Sequence, residues 1–205
     1  MIRPPRLYII TDRHATRGRA LPEVIAEALR GAQGSPHAVA VQLREKDLGG
    51  RALLELARPL RAITRAAGAA LYVNDRVDVA LAVGADGVHL GGGALSPDDV
   101  RAIAPALAIG ISTHDEDEVR AAAAARADFV VFGPVFPTPG KSLPAKGVQG
   151  LTRICGLGVP VIALGGICPD NAQTCLTTGA VGVAGIRSVI SATDSSSRVS
   201  LFLAC

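Results

Sequence analysis

One alternation runs from end to end of this chain and constrains it more than any motif does. Short apolar, β-branched runs are followed each time by a longer segment with apolar residues at helical spacing. Eight runs can be marked: Leu7 to Thr11, Ala38 to Arg44, Ala70 to Asn74, Gly87 to Leu90, Ala108 to Ser112, Phe129 to Phe136, Pro160 to Leu164 and Gly182 to Ile186. Between them lie helix candidates at Leu21 to Ala32, Ala52 to Ala67, Val77 to Val83, Pro97 to Ala104, Glu116 to Ala127, Gln149 to Gly156 and Pro169 to Thr178, each with apolar positions at i, i+3 and i+4. Runs that are apolar throughout fit strands covered on both faces, as parallel sheets require. Repeated βα units therefore predict an α/β protein, and eight of them close more naturally into a (βα)8 TIM barrel than into a doubly wound open sheet with the same local pattern.

Boundary signals agree. Ser96-Pro97 and Cys168-Pro169 put proline at a first helical position, and Gly68, Gly84 and Gly179 stand where helices should stop. The last unit is the weak one. After Ile190 the chain reads SATDSSSRVSLFLAC, which predicts a short or irregular eighth helix and a loosely packed or disordered Ser-rich tail over 191–205, with the ordered barrel at about 6–190. At 205 residues there is room for one domain with a substantial core and not for two. With no Trp and 3% aromatics that core must come from Ala, Val, Leu and Ile.

A net charge of +3, without basic runs interleaved with aromatics, speaks against nucleic-acid binding and leaves small anions as ligands. No segment has signal-peptide or bilayer-spanning length, so no membrane role is expected. The four cysteines form no C-x-x-C pair, which argues against structural zinc and for reduced thiols in a cytoplasmic protein. Homo-oligomerisation is left open.

In such barrels chemistry sits at the C-terminal ends of strands. The second run ends in Gln42, Arg44 and Lys46 on one side and Glu45 and Asp47 on the other, so two cations point together as a phosphate clamp or else form a solvated cluster. Asn74-Asp75 ends the third, where Asp75 could hold Mg²⁺ or cap the next helix. Gly91, Gly92 and Gly93 follow the fourth as a loop or simple turn. Ser112, Thr113 and His114 end the fifth, offering hydroxyls and an imidazole for proton transfer or for capping. The long loop after the sixth carries Thr138 and Lys141, both able to donate to phosphate oxygens. Gly165, Gly166, Ile186 and Arg187 follow the seventh and eighth, the usual phosphate position of this fold, although tight turns also explain the glycines.

Taken together, QLREKD, VNDR, GADGVHLG, GISTH, FGPVFPTPGK and ALGGI, in this order from about Leu7 to Ile190, resemble the thiamine phosphate synthase and thiazole tautomerase (TenI) family. The resemblance implies a transferase that joins an aminopyrimidine diphosphate to a thiazole phosphate with Mg²⁺ and releases diphosphate. It also implies the roles. Arg44, Lys46, Asn74 and Lys141 would hold diphosphate, Gln42 would contact the pyrimidine, Asp75 would ligate Mg²⁺ and Ser112 would lie near the reacting pyrimidine. Thr138 and the backbone amides around Gly166 and Ile186 would take the thiazole phosphate, to which, on the residues alone, Arg187 could add charge. Three departures stand out. Gly92, Gly93 and Ala94 replace a Gln and two acids, so the second Mg²⁺ carboxylate is missing and a weakened site is expected unless water or Asp98 substitutes. Gly140 replaces a Thr, and Arg187 a Ser. Three activities follow as candidates: the synthase; a tautomerase using His114 as acid and base without metal; and a non-catalytic thiazole or thiamine phosphate binder, which retention of Lys46, Asp75 and Lys141 disfavours.

Overall fold

The computed structural model describes residues 4–138 and 144–205. Eight parallel strands close into a barrel in sequential order: β1 Leu7–Ile10, β2 Val39–Leu43, β3 Ala70–Asn74, β4 Gly87–Leu90, β5 Ala108–Thr113, β6 Phe129–Phe132, β7 Val161–Leu164 and β8 Gly182–Gly185, with β8 paired back to β1. The helices that follow them are α1 Leu21–Arg30, α2 Gly50–Ala67, α3 Val77–Val83, α4 Pro97–Ile103, α5 Glu116–Ala124, α6 Gly147–Cys155, α7 Pro169–Thr177 and α8 Arg187–Ile190. The barrel predicted from the alternation is therefore the one observed.

Strand residues alternate between two apolar layers. Leu7, Ile9, Val39, Val41, Leu71, Val73, Ile109 and Val161 point outward and pack beneath the helices. Tyr8, Ile10, Ala40, Tyr72, Ala108, Phe129, Val131 and Ile162 point inward and fill the barrel. Aromatics are scarce in this chain, yet both tyrosines and Phe129 meet in that interior, with ring centroids 5.4–5.6 Å apart and nearly perpendicular planes. The rings fill the barrel below its C-terminal mouth, so the inward-facing polar residues nearer the strand ends sit above an apolar floor.

Two expectations are corrected. The sixth strand, expected to reach Phe136, stops at Phe132; Pro134 has no N–H to continue a ladder, and the segment swings over to β7, where Val135 N donates to Leu164 O at 2.8 Å and Phe136 N to Gly165 O at 3.0 Å. The tail beyond 190 is not loose. α8 is indeed short, but Ser195–Leu203 forms a further helix, α9, packed against α1, α8, α7 and β1. Asp194 caps it, accepting from Ser197 N at 2.8 Å and from Ser197 Oγ at 2.6 Å. Val199 and Phe202, three residues apart, are buried together. The serines that read as disorder serve the start of this helix instead.

Candidate active site

The ends of β2 and β3 build one wall of the site. Gln42, inward-facing and buried, stands beside Tyr72 in the register, and Asn74 beside His89. Asn74 Nδ2 donates to Asp75 Oδ2 at 2.8 Å, and because a carboxylate only accepts, this fixes which end of the amide is which. Asn74 Oδ1 therefore faces Gln42 and accepts from its Nε2 at 3.1 Å. The chain of donors leaves Gln42 Oε1 buried without a partner among the described residues. A buried acceptor in that condition costs free energy that a ligand N–H would recover.

Asp75 does not cap the helix that follows. Arg76 occupies the cap position of α3 and pairs with Asp78, while Asp75 turns toward β4, its Oδ1 accepting from Gly91 N at 2.8 Å. It does so with φ at +58°, a left-handed conformation uncommon outside glycine, Asn and Asp. Strain of this kind concentrates where a side chain must be aimed. Among the described residues no group of three or more His, Cys, Asp or Glu could hold a metal. Asp75 is the carboxylate that would face Mg²⁺ at the end of β3, and each of its oxygens accepts a single hydrogen bond among the described residues. That fits an ion whose other ligands are substrate phosphate and water. Ala94 lies in a tight turn closed by its N–H to Gly91 O at 3.1 Å, and Asp98 is exposed on the first turn of α4.

Arg44 and Lys46 line the same mouth as Gln42, as alternation predicts. Their intervening acids do something the sequence reading did not foresee. Glu45 is buried, accepting from Thr11 Oγ1 at 2.7 Å and from the backbone N and Nη1 of Arg13, each at 3.1 Å. Asp47 takes the other face of the Arg13 guanidinium, which holds its carboxyl well below the usual carboxylate range. Thr11 Oγ1 also accepts from Arg44 N at 2.9 Å. The clasp ties the β1 loop to the β2 loop and frees Arg44 and Lys46 from their neighbouring acids. Its signal was present: β1 also ends in polar residues, Thr11, Asp12 and Arg13.

The opposite wall comes from β4 and β5. Ser112 Oγ lies 2.9 Å from Nε2 of His89, which is buried inside the barrel. Asp115, not Ser112, Thr113 or His114, caps α5. His114 is held by Nδ1–H donating to Gly133 O at 2.7 Å and has no partner on Nε2 among the described residues. Ser112 and His114 both face the cleft. Gly110 makes room for this arrangement: a Cβ there would lie 2.5 Å from the Phe129 ring and 3.0 Å from His89 Nδ1.

The cleft formed by Asp12, Gln42, Arg44, Lys46, Ser112 and His114 has a volume of about 620 Å³. It shares Leu164, Ile186 and Arg187 with a second pocket of about 310 Å³, lined also by Thr138, Gly165 and Gly166. Gly166 is required there, with φ at +64° and a hypothetical Cβ 2.6 Å from Pro137 O, because the β6 loop lies directly on the β7 turn. Of the thirteen residues singled out by the sequence for catalysis, substrate or metal, ten line one or both of these pockets. Asn74 and Asp75 line an adjoining hollow that shares Lys46, and Lys141 lies outside the described residues, as does Gly140.

A closed parallel barrel with a cation-lined cleft and a glycine-lined pocket at its C-terminal mouth defines a (βα)8 enzyme. The model of a family described as thiamine monophosphate synthase matches residues 7–189. The chain belongs to that family. Among its relatives are a thiamine-phosphate synthase from Roseiflexus castenholzii, 44% identical over 92% of this chain and 82% of the relative, and one from Pyrococcus furiosus, 42% identical over 92% and 88%. The solved structure of a thiamine phosphate pyrophosphorylase from Pyrococcus furiosus superposes with a TM-score of 0.86 at 39% identity, covering 97% of this chain and 94% of that one. No helix among the described residues is long and apolar enough to cross a membrane.

Proposed function

We propose that the protein is a thiamine phosphate synthase, coupling hydroxymethylpyrimidine diphosphate to thiazole phosphate and releasing diphosphate. The observation that carries this reading is the junction of the two pockets. A cation-lined cleft at β2 and β3 opens, across Leu164, Ile186 and Arg187, onto a glycine-lined pocket at β7 and β8. Two anionic substrates can lie with their phosphates at opposite ends and their reacting atoms between them. In the reaction the bond from the pyrimidine's exocyclic carbon to diphosphate oxygen breaks, its electron pair leaving with diphosphate, and the thiazole nitrogen lone pair forms the new C–N bond.

The side chains then position and neutralise rather than react covalently. Arg44, Lys46, Asn74 and Lys141 hold the diphosphate, and Gln42 Oε1 accepts from the pyrimidine's amino group. Ser112 donates to the pyrimidine, while Thr138, Arg187 and the backbone at Gly165, Gly166 and Ile186 take the thiazole phosphate. Asp75 is the residue that would hold Mg²⁺, which when bound neutralises charge on the departing diphosphate. With Ala94 where a second acid is expected, Asp75 alone would hold the ion weakly, and substrate phosphate would supply the remaining negative charge. The aromatic floor excludes water, which would otherwise capture the electron-poor carbon. The enzyme works on small phosphorylated molecules, and its free thiols suit a reducing cytoplasm.

The test is diphosphate release by the purified protein with both substrates, with and without Mg²⁺. Mg²⁺-dependent release matched by thiamine phosphate is expected. Turnover of a thiazole phosphate carboxylate to its isomer without metal, and no diphosphate release, would transfer the chemistry to the unoccupied Nε2 of His114.

A further inference from the structure

His89 is buried in the barrel between the aromatic floor and the cleft, and the substrate contacts just named do not use it. Its Nε2 lies 2.9 Å from Ser112 Oγ and its Nδ1 3.4 Å from the hydroxyl of Tyr8. The ring leans on Tyr8 and Phe129, with centroids 5.7 and 6.2 Å away. Tyr8 is fully buried, and His89 Nδ1 is the hydrogen-bond partner of its hydroxyl among the described residues. A phenol proton left unpaired in an apolar interior is costly, so Tyr8 O–H donates to His89 Nδ1. Both ring nitrogens face neutral hydroxyls inside the buried barrel, so the ring is neutral and carries one proton. With Nδ1 accepting, that proton is on Nε2. Nε2–H then donates to Ser112 Oγ, and the serine's own proton is left to point into the cleft.

We propose that Tyr8 and His89 are positioning residues that fix Ser112 as a hydrogen-bond donor toward the pyrimidine-bearing substrate. The inference rests on the reading that Ser112 meets that substrate. The direction of each bond is set from the barrel floor upward, as Asp75 sets the direction of Asn74 and Gln42 on the facing wall. Neither Tyr8 nor His89 need touch substrate. Specificity follows, because a ring presenting an acceptor to β5 is accepted and one presenting a donor meets Ser112 proton to proton.

Two measurements test this. Long-range ¹⁵N–¹H correlation spectra, with the His89 signal assigned by its loss in His89→Gln, should show His89 protonated on Nε2 in the wild type, with Nδ1 protonation appearing in Tyr8→Phe. In steady state, Tyr8→Phe should raise KM for the pyrimidine diphosphate about tenfold, the scale of one neutral hydrogen bond, and leave KM for thiazole phosphate unchanged. His89→Gln, whose amide can still donate to Ser112, should retain more pyrimidine affinity than His89→Leu. Protonation on Nδ1 in the wild type overturns the proposal, as does a Tyr8→Phe enzyme whose pyrimidine KM is unmoved or whose two KM values rise together. A wild type without diphosphate release would instead defeat the synthase reading, while the tautomer spectrum would still decide the proton's place.

Discussion

Asp75 shows how much of a site can hang on one backbone angle. At φ +58° its carboxylate reaches Gly91 on one side and Asn74 on the other, and through Asn74 it orients Gln42. Asn tolerates the same conformation but presents an NH₂ where an acceptor is needed. Asp75→Asn should therefore keep the melting temperature within a few degrees while kcat/KM for diphosphate release falls by about 10²-fold or more. An equal loss of stability and activity would make Asp75 a structural residue. His89 yields a prediction with a definite sign. Burial, then Arg44, hold its pKa near 3, against about 6.5 in the unfolded chain. Between those values the unfolded state binds a proton that the folded state does not, so stability is lost as pH falls below about 6.5, at up to about 1.4 kcal/mol per pH unit. Urea titrations between pH 6.5 and 5 should show this slope in the wild type and a shallower one in His89→Gln; identical slopes would mean that the ring is not held neutral.

At the level of elements, α9 carries the clearest expectation. It covers β1 and α1 where a second full helix after β8 would otherwise be missing, and Ser200 Oγ donates to Gly31 O at 3.1 Å to hold it there. Phe202 is 1% exposed. Phe202→Ala should cost about 3–5 kcal/mol and lower Tm on the order of 10 °C, read by calorimetry. A change near zero would mean that α9 is detached in solution. The clasp of Arg13 with Glu45 and Asp47 is the corresponding device at the mouth, joining two βα loops while Arg44 and Lys46, which alternate with those acids, line the cleft.

For the molecule as a whole, the balance of charge at the mouth is what would govern the proposed Mg²⁺ requirement. Arg44, Lys46 and Arg187 line the cleft with Asp12, and Asp75 is the carboxylate at the β3 end. The position where the family resemblance leads one to expect a second acid is Ala94. Ala94→Asp should lower the Mg²⁺ concentration at half-maximal rate by about tenfold, ~1.4 kcal/mol of added affinity; an unchanged value would show that the diphosphate alone sets metal binding. The amino-acid sequence by itself determined the barrel, because periodicities of two and 3.6 are local properties repeated eight times. It also determined which strand ends carry Gln42, Arg44, Asn74, Asp75, Ser112 and Arg187, since position along a strand is read directly from the chain. The tertiary structure alone decided what those residues face. Whether Asp75 caps a helix or reaches β4 depends on a neighbour 16 residues away, Gly91. His89 gains its partners from β1 and β5, and Glu45 leaves solvent only because Arg13 arrives from another loop. The Ser-rich tail folds because α1 offers a surface to bury Val199 and Phe202 against, which no local pattern records.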